Sequence, residues 1–204
     1  MLPELYGSIL ALRQKNLKKL LAYSSLAHVG LIAAGIYTLK IDGLSGAVSQ
    51  MIAHGFVIVG LFFVADIIDR RYNTQSISEM GGIRAQAPKF TSFFLILVLA
   101  SVALPGTFNF VGEFTVLYSL AQVNILVAVL GGTTIILGAY YMLKMFQNVM
   151  LGETNQTIFK DISTSETISL LVIVGFLLFF GLYPKPIVDL VYPSLVEIIK
   201  VISK

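Results

Sequence analysis

Two histidines and one carboxylate stand inside stretches that are otherwise apolar: His28, His54 and Glu113. Each has a polar residue four positions earlier, Ser24 before His28, Gln50 before His54 and Asn109 before Glu113. A spacing of four puts both members on one face of an α-helix. Tyr140 and Lys144 repeat the spacing further along. Imidazole changes charge near neutral pH. An ionisable group at membrane depth is costly and marks a functional position. A line of His, His and Glu, bridged by Ser, Gln, Asn and water, is what a proton relay requires. For either histidine taken alone, a structural imidazole bonding across helices fits equally well. Lys144 lies near the end of its apolar stretch, where it either snorkels to the interface or serves as the basic partner of the relay. Two His and one Glu are also metal ligands, but no local spacing such as His-x-x-x-His supports a metal site, and none is expected.

The acid belongs to the most informative stretch of the chain, residues 93–120. A run of apolar residues long enough to enter a bilayer is interrupted by Leu104-Pro105-Gly106-Thr107 and then resumes around Glu113. Pro105 removes a backbone donor and clashes with the preceding turn, so a helix must kink or break there. Gly106 tolerates the odd backbone that results. Groups freed at the break must be buried in protein or line a wet cavity. Broken helices of this kind mark ion sites in transporters. The plainer alternative is a structural kink with an inert, hydrogen-bonded Glu113.

These residues need a membrane scaffold, and composition supplies one. The 204 residues are 56% hydrophobic and only 12% charged, against about 25% in an ordinary soluble domain. The chain therefore reads as an integral, polytopic, all-α membrane protein embedded in a lipid bilayer. About five complete spans are expected: 20–39, 44–65, the broken stretch, 125–146 and 167–182. Residues 1–12 are apolar but short of a span, and read as the end of a truncated first helix. The tail 187–204 is amphipathic. Four Lys or Arg fall in the segment 13–19 and four in the loop 66–89, against one in the loop around Lys40 and none around Gln122. The positive-inside rule puts the rich loops in the cytoplasm. With the basic residues clustered in loops, no nucleic-acid partner is expected. The chain has no cysteine, which excludes disulfides and thiolate-held clusters. No phosphate-cradling loop, nucleophile elbow or haem ligand set is present, so no redox or hydrolytic chemistry is expected from this chain.

Three stretches carry a resemblance: LKKLLAYSSLAHVG at 17–30, QMIAHG at 50–55 and LPGTFNFVGEF at 104–114. Together, in this order, they resemble the antiporter-like membrane subunits of respiratory complex I, most closely the subunit M type. The resemblance covers almost the whole chain. It implies a proton-translocating subunit of an NADH:quinone oxidoreductase that carries no cofactor itself, while the complex uses NADH and quinone. Its partners would be the other membrane-arm subunits, and its place a bacterial inner membrane. His28 and His54 map onto relay histidines, and Glu113 onto the acid of a discontinuous helix. Residues 1–147 would be the second antiporter-like repeat, truncated at its start. Residues 148–204 would be a polar loop, a final span and the tail. The first repeat is absent, so the chain reads as the C-terminal part of a longer subunit. A multi-subunit sodium/proton antiporter and a hydrogenase-linked complex share the repeat and stand as alternatives.

Overall fold

A computed structural model describes residues 2–152 and 158–202, and every regular element among them is helical. The chain runs through α1 (Leu2–Leu12), α2 (Leu17–Tyr37) and α3 (Ile41–Tyr72). A single 3-10 turn (Ile77–Glu79) and the short α4 (Ile83–Gln86) follow. Then come α5 (Pro88–Ser101), α6 (Phe108–Val123), α7 (Ile125–Met150), α8 (Thr164–Leu182) and α9 (Lys185–Ile202). Four helices, α2, α3, α7 and α8, are long and apolar enough to cross a membrane. With 14 and 16 residues, α5 and α6 are each short of the roughly 20 that a span needs. They are the two halves of the broken stretch.

The break opens earlier than Pro105 alone would place it. The helix α5 ends at Ser101, and Ala103 takes a left-handed conformation with φ of 53°. The Ala103 N–H donates to Ala100 O at 3.1 Å and the Leu104 N–H to Leu99 O at 3.0 Å. That pair of bonds is the Schellman arrangement, with alanine standing where glycine is usual. Pro105 then prevents resumption, Gly106 turns the chain at φ of 96°, and Thr107 Oγ1 donates to Leu104 O at 2.8 Å. The loop itself thus satisfies the carbonyls of Leu99, Ala100 and Leu104.

Other boundaries also shift. The loop expected at 40–43 is already the first turn of α3, because Leu39 (φ 51°) reverses the chain in one residue. At its far end α3 runs to Tyr72, seven residues beyond the apolar segment. Its polar extension is held by ion pairs: Arg70 to Asp66 at 2.6 Å and Lys18 to Asp69 at 2.5 Å. The same face carries a clasp of loop contacts. Asn16 caps α2 by accepting from the Lys19 N–H at 3.0 Å, an interaction worth about 1 kcal/mol. Asp161 accepts from the Lys89 and Phe90 N–H groups at 3.1 and 3.0 Å and so caps α5 from a distant loop. Arg71 meets Glu166 at 2.8 Å. The tail is the amphipathic helix α9, packed on α3, with Leu195 its buried residue.

Lateral packing is closest between α3 and α6. A methyl group placed on Gly46 would lie 2.8 Å from the Val116 nitrogen, and one on Gly112 would lie 2.7 Å from the Gln50 nitrogen. Small residues let membrane helices approach backbone to backbone. From the other side α8 presses on the break: a methyl on Gly181 would lie 2.6 Å from Thr107 Cα. Phe176 of α8 stacks on Phe56 with centroids 3.7 Å apart. Outward residues such as Ile136, Leu171 and Phe179 are exposed and suit lipid. Gly46→Ala is expected to cost about 1–3 kcal/mol by overpacking. A thermal unfolding midpoint unchanged from the parent in detergent would contradict this close approach.

Candidate functional site

The close contact of α3 with α6, backed by α2, brings three of the polar pairs together. Glu113 is 1% exposed. Its Oε1 lies 3.0 Å from His28 Nδ1 of α2 and accepts from Gln50 Nε2 of α3 at 2.8 Å. The ring of His54 lies 4.9 Å from that of His28, centroid to centroid. Its Nε2 is 2.9 Å from Ser25 Oγ. Glu113 is therefore held by two different helices through one oxygen. A proton moving along the His28–Glu113 bond exchanges an ion pair for a neutral pair.

Several polar atoms of the cluster have no protein partner among the described residues. They are Glu113 Oε2, Gln50 Oε1, His54 Nδ1 and both amide atoms of the fully buried Asn109. Leaving such a group unsatisfied costs about 1–3 kcal/mol, and ordered water is the usual remedy. A small cavity of about 10 Å³ beside His28 and Glu113 is also lined by Ser101, Thr134, Gly138 and Tyr141. That is room for about one water.

The fourth pair stands apart. Lys144 and Tyr140 are exposed and lie 3.3 Å apart, Nζ to OH. Both line a wide vestibule of about 850 Å³, whose wall also includes Arg13, Lys15 and Tyr141. Ser24 likewise leaves its expected partner. It accepts from the Tyr141 hydroxyl at 3.0 Å, and Ser25 is the serine that bonds to histidine. Pro105 and Gly106 lie in the loop before α6, which carries Asn109 and Glu113 in its first two turns.

Sequence reasoning missed Ser25 and Tyr141. A signal for Tyr141 existed. Small residues Gly131, Thr134 and Gly138 recur at three or four along α7, and extending that stripe reaches Tyr141 rather than Tyr140. For Ser25 no comparable signal is visible, since its bond to His54 crosses between helices.

With this geometry in place, comparison with known proteins is decisive. Residues 1–138 match the family described as "NADH:quinone oxidoreductase/Mrp antiporter, TM". The chain belongs to this family. It is an integral, all-α membrane protein. It is 40% identical to NADH-quinone oxidoreductase subunit M of Rickettsia bellii (strain RML369-C) over 193 residues, 93% of this chain and 39% of that protein. It is 37% identical to the subunit M of Rhodobacter capsulatus over 198 residues, 96% of this chain and 39% of that one. Among solved structures it is similar to a chain of respiratory complex I from Thermus thermophilus with bound NADH, at TM-score 0.93 and 32% identity. That match covers 98% of this chain and 42% of the other. A chain of the Mrp complex from Dietzia sp. DQ12-45-1b shares the fold at TM-score 0.87 and 17% identity, covering 95% of this chain and 45% of that one. The chain spans about two fifths of the length of the curated relatives it matches.

A double-mutant cycle between Gln50→Leu and Glu113→Gln, read by thermal unfolding, is expected to show coupling of about 1 kcal/mol or more. Strict additivity would mean that the Gln50–Glu113 hydrogen bond contributes nothing.

Proposed function

We propose that this chain is a proton-conducting part of a subunit M of a bacterial NADH:quinone oxidoreductase in the inner membrane. The observation that carries the proposal is the buried Glu113, held by His28 at 3.0 Å and Gln50 at 2.8 Å at the start of a broken helix. Similarity to curated subunit M proteins over nine tenths of the chain supports it. Residues 1–147 form the second antiporter-like repeat and residues 148–204 its peripheral loop, last span and tail.

In this reading Glu113 is the group that holds the proton. Gln50 fixes its carboxyl orientation through Oε1, and Oε2 remains the oxygen that exchanges protons with water. His28 shares the proton directly, and His54 follows it through the imidazole pair and Ser25. Lys144 acts at the vestibule rather than in the buried cluster. The drive comes from quinone reduction elsewhere in the complex. NADH and quinone bind to other subunits, and this chain carries no redox group. Its partners are the other membrane-arm subunits and the lipid around them.

The vestibule offers a sodium ion no carboxylate ligand: Arg13, Lys15 and Lys144 line it, and no Asp or Glu does so among the described residues, whereas hard cations are held by oxygen ligands such as carboxylates. Glu113→Gln in the assembled complex is expected to abolish pumping while assembly is kept. Unchanged proton-to-electron stoichiometry in that variant would sink the proposal. Sodium-dependent exchange in vesicles without any quinone would assign the chain to the multi-subunit antiporter class instead.

A further inference from the structure

The buried pair needs a connection to solvent on one face of the membrane, and the two cavities supply its outline. The 850 Å³ vestibule opens among the basic segment at Arg13 and Lys15, the turn at Ile77–Gly81 and the end of α7 at Lys144 and Asn148. The distribution of Lys and Arg makes this the cytoplasmic face. The 10 Å³ cavity lies inside, against His28 and Glu113. One residue lines both, Tyr141. It is 3% exposed, and its hydroxyl donates to Ser24 Oγ at 3.0 Å. Ser24 in turn shares a face of α2 with His28, one turn further on.

We propose that Tyr141 is the gate through which the cytoplasmic vestibule exchanges protons with the His28–Glu113 pair. This rests on the proton-conducting reading above and names the residue that connects it to one side of the membrane. The phenol is suited to the task because it both donates and accepts a hydrogen bond and keeps a neutral proton at physiological pH. In one passage, a vestibule water delivers a proton to the phenol oxygen as the phenol's own proton leaves to the water of the inner cavity, directly or by way of Ser24, whose hydroxyl takes that proton and gives up its own. That water passes a proton on to His28. One proton enters and one leaves, the ring is neutral before and after, and no electron moves.

The geometry explains two further choices of residue. Gly138, one turn before Tyr141 on α7, also lines the inner cavity. A methyl there would meet the Tyr141 hydroxyl at 3.6 Å, an ordinary contact, so glycine is not required for packing. What it leaves is the room for about one water between phenol and imidazole. Tyr140, next in sequence, turns outward to Lys144 and takes no part in the barrier.

The test uses the assembled complex in sealed vesicles with the vestibule face outward, driven by NADH and a soluble quinone. Tyr141→Phe, Gly138→Ala and Glu113→Gln are compared for electron transfer, pumping rate and the solvent deuterium isotope effect on pumping. Tyr141→Phe keeps the ring and its packing. It is expected to slow pumping about tenfold or more, since a positioned proton-transfer group contributes about a hundredfold or more, and to raise the isotope effect. Gly138→Ala should slow pumping in the same way with the hydroxyl intact. Normal pumping by Glu113→Gln would remove the proton-conducting reading itself. A dead Glu113→Gln beside normal Tyr141→Phe and Gly138→Ala would overturn the gate alone. Slow pumping in Tyr141→Phe with an unchanged isotope effect would reduce Tyr141 to a packing residue. If Tyr141→Phe fails to assemble, Gly138→Ala decides: slow pumping supports the gate and normal pumping overturns it.

Discussion

A carboxyl group buried in a membrane helix must find its partners inside the protein, and the rest of this fold follows from that constraint. Glu113 meets it through one oxygen, with His28 on one side and Gln50 on the other. Those bonds require α3 and α6 to run backbone against backbone, which glycines at positions 46 and 112 allow. They also require α6 to begin within the membrane, so the preceding helix must stop first. The loop at 102–107 stops it and satisfies much of its own backbone through turns. Glycine at 181 then lets α8 close over the loop.

The clasp on the basic face serves the same end by fixing the helix ends. Lys18 to Asp69 ties α2 to α3, and Arg71 to Glu166 ties α3 to α8. Asp161 caps α5 from a loop more than seventy residues away. These pairs are partly exposed, so each contributes little singly. Their value lies in register: they set how far each helix slides along its neighbours, and hence whether His28 faces Glu113.

Much of this was legible in the sequence. Composition and the length of the apolar runs point to a bundle of membrane helices. The i, i+4 pairs at Gln50/His54 and Asn109/Glu113 pick out the faces that meet, and Pro105-Gly106 marks the break. What the sequence hides are choices made between helices. Adjacent residues on a helix differ by about 100°; the small-residue stripe of α7 points to Tyr141 over Tyr140, but nothing local says which of Ser24 and Ser25 meets a histidine. Packing separates them: Ser25 reaches His54, Ser24 reaches Tyr141, and Tyr140 is left with Lys144 outside. The start of the break was hidden for another reason. Ala103 sits in a conformation that alanine rarely adopts, and only the surrounding structure imposes it.

The central claim is that Glu113 takes up and releases a proton during turnover. Time-resolved infrared spectroscopy of the assembled complex, with carbon-13 in the glutamate side chains, tests it most directly. The account predicts a protonated-carboxyl band that rises and falls with each cycle, shifts with the label and vanishes in Glu113→Gln. A carboxyl signal at Glu113 that stays constant while the complex pumps would contradict it. The acid would then be a structural partner of His28 and Gln50, and the proton would take another path.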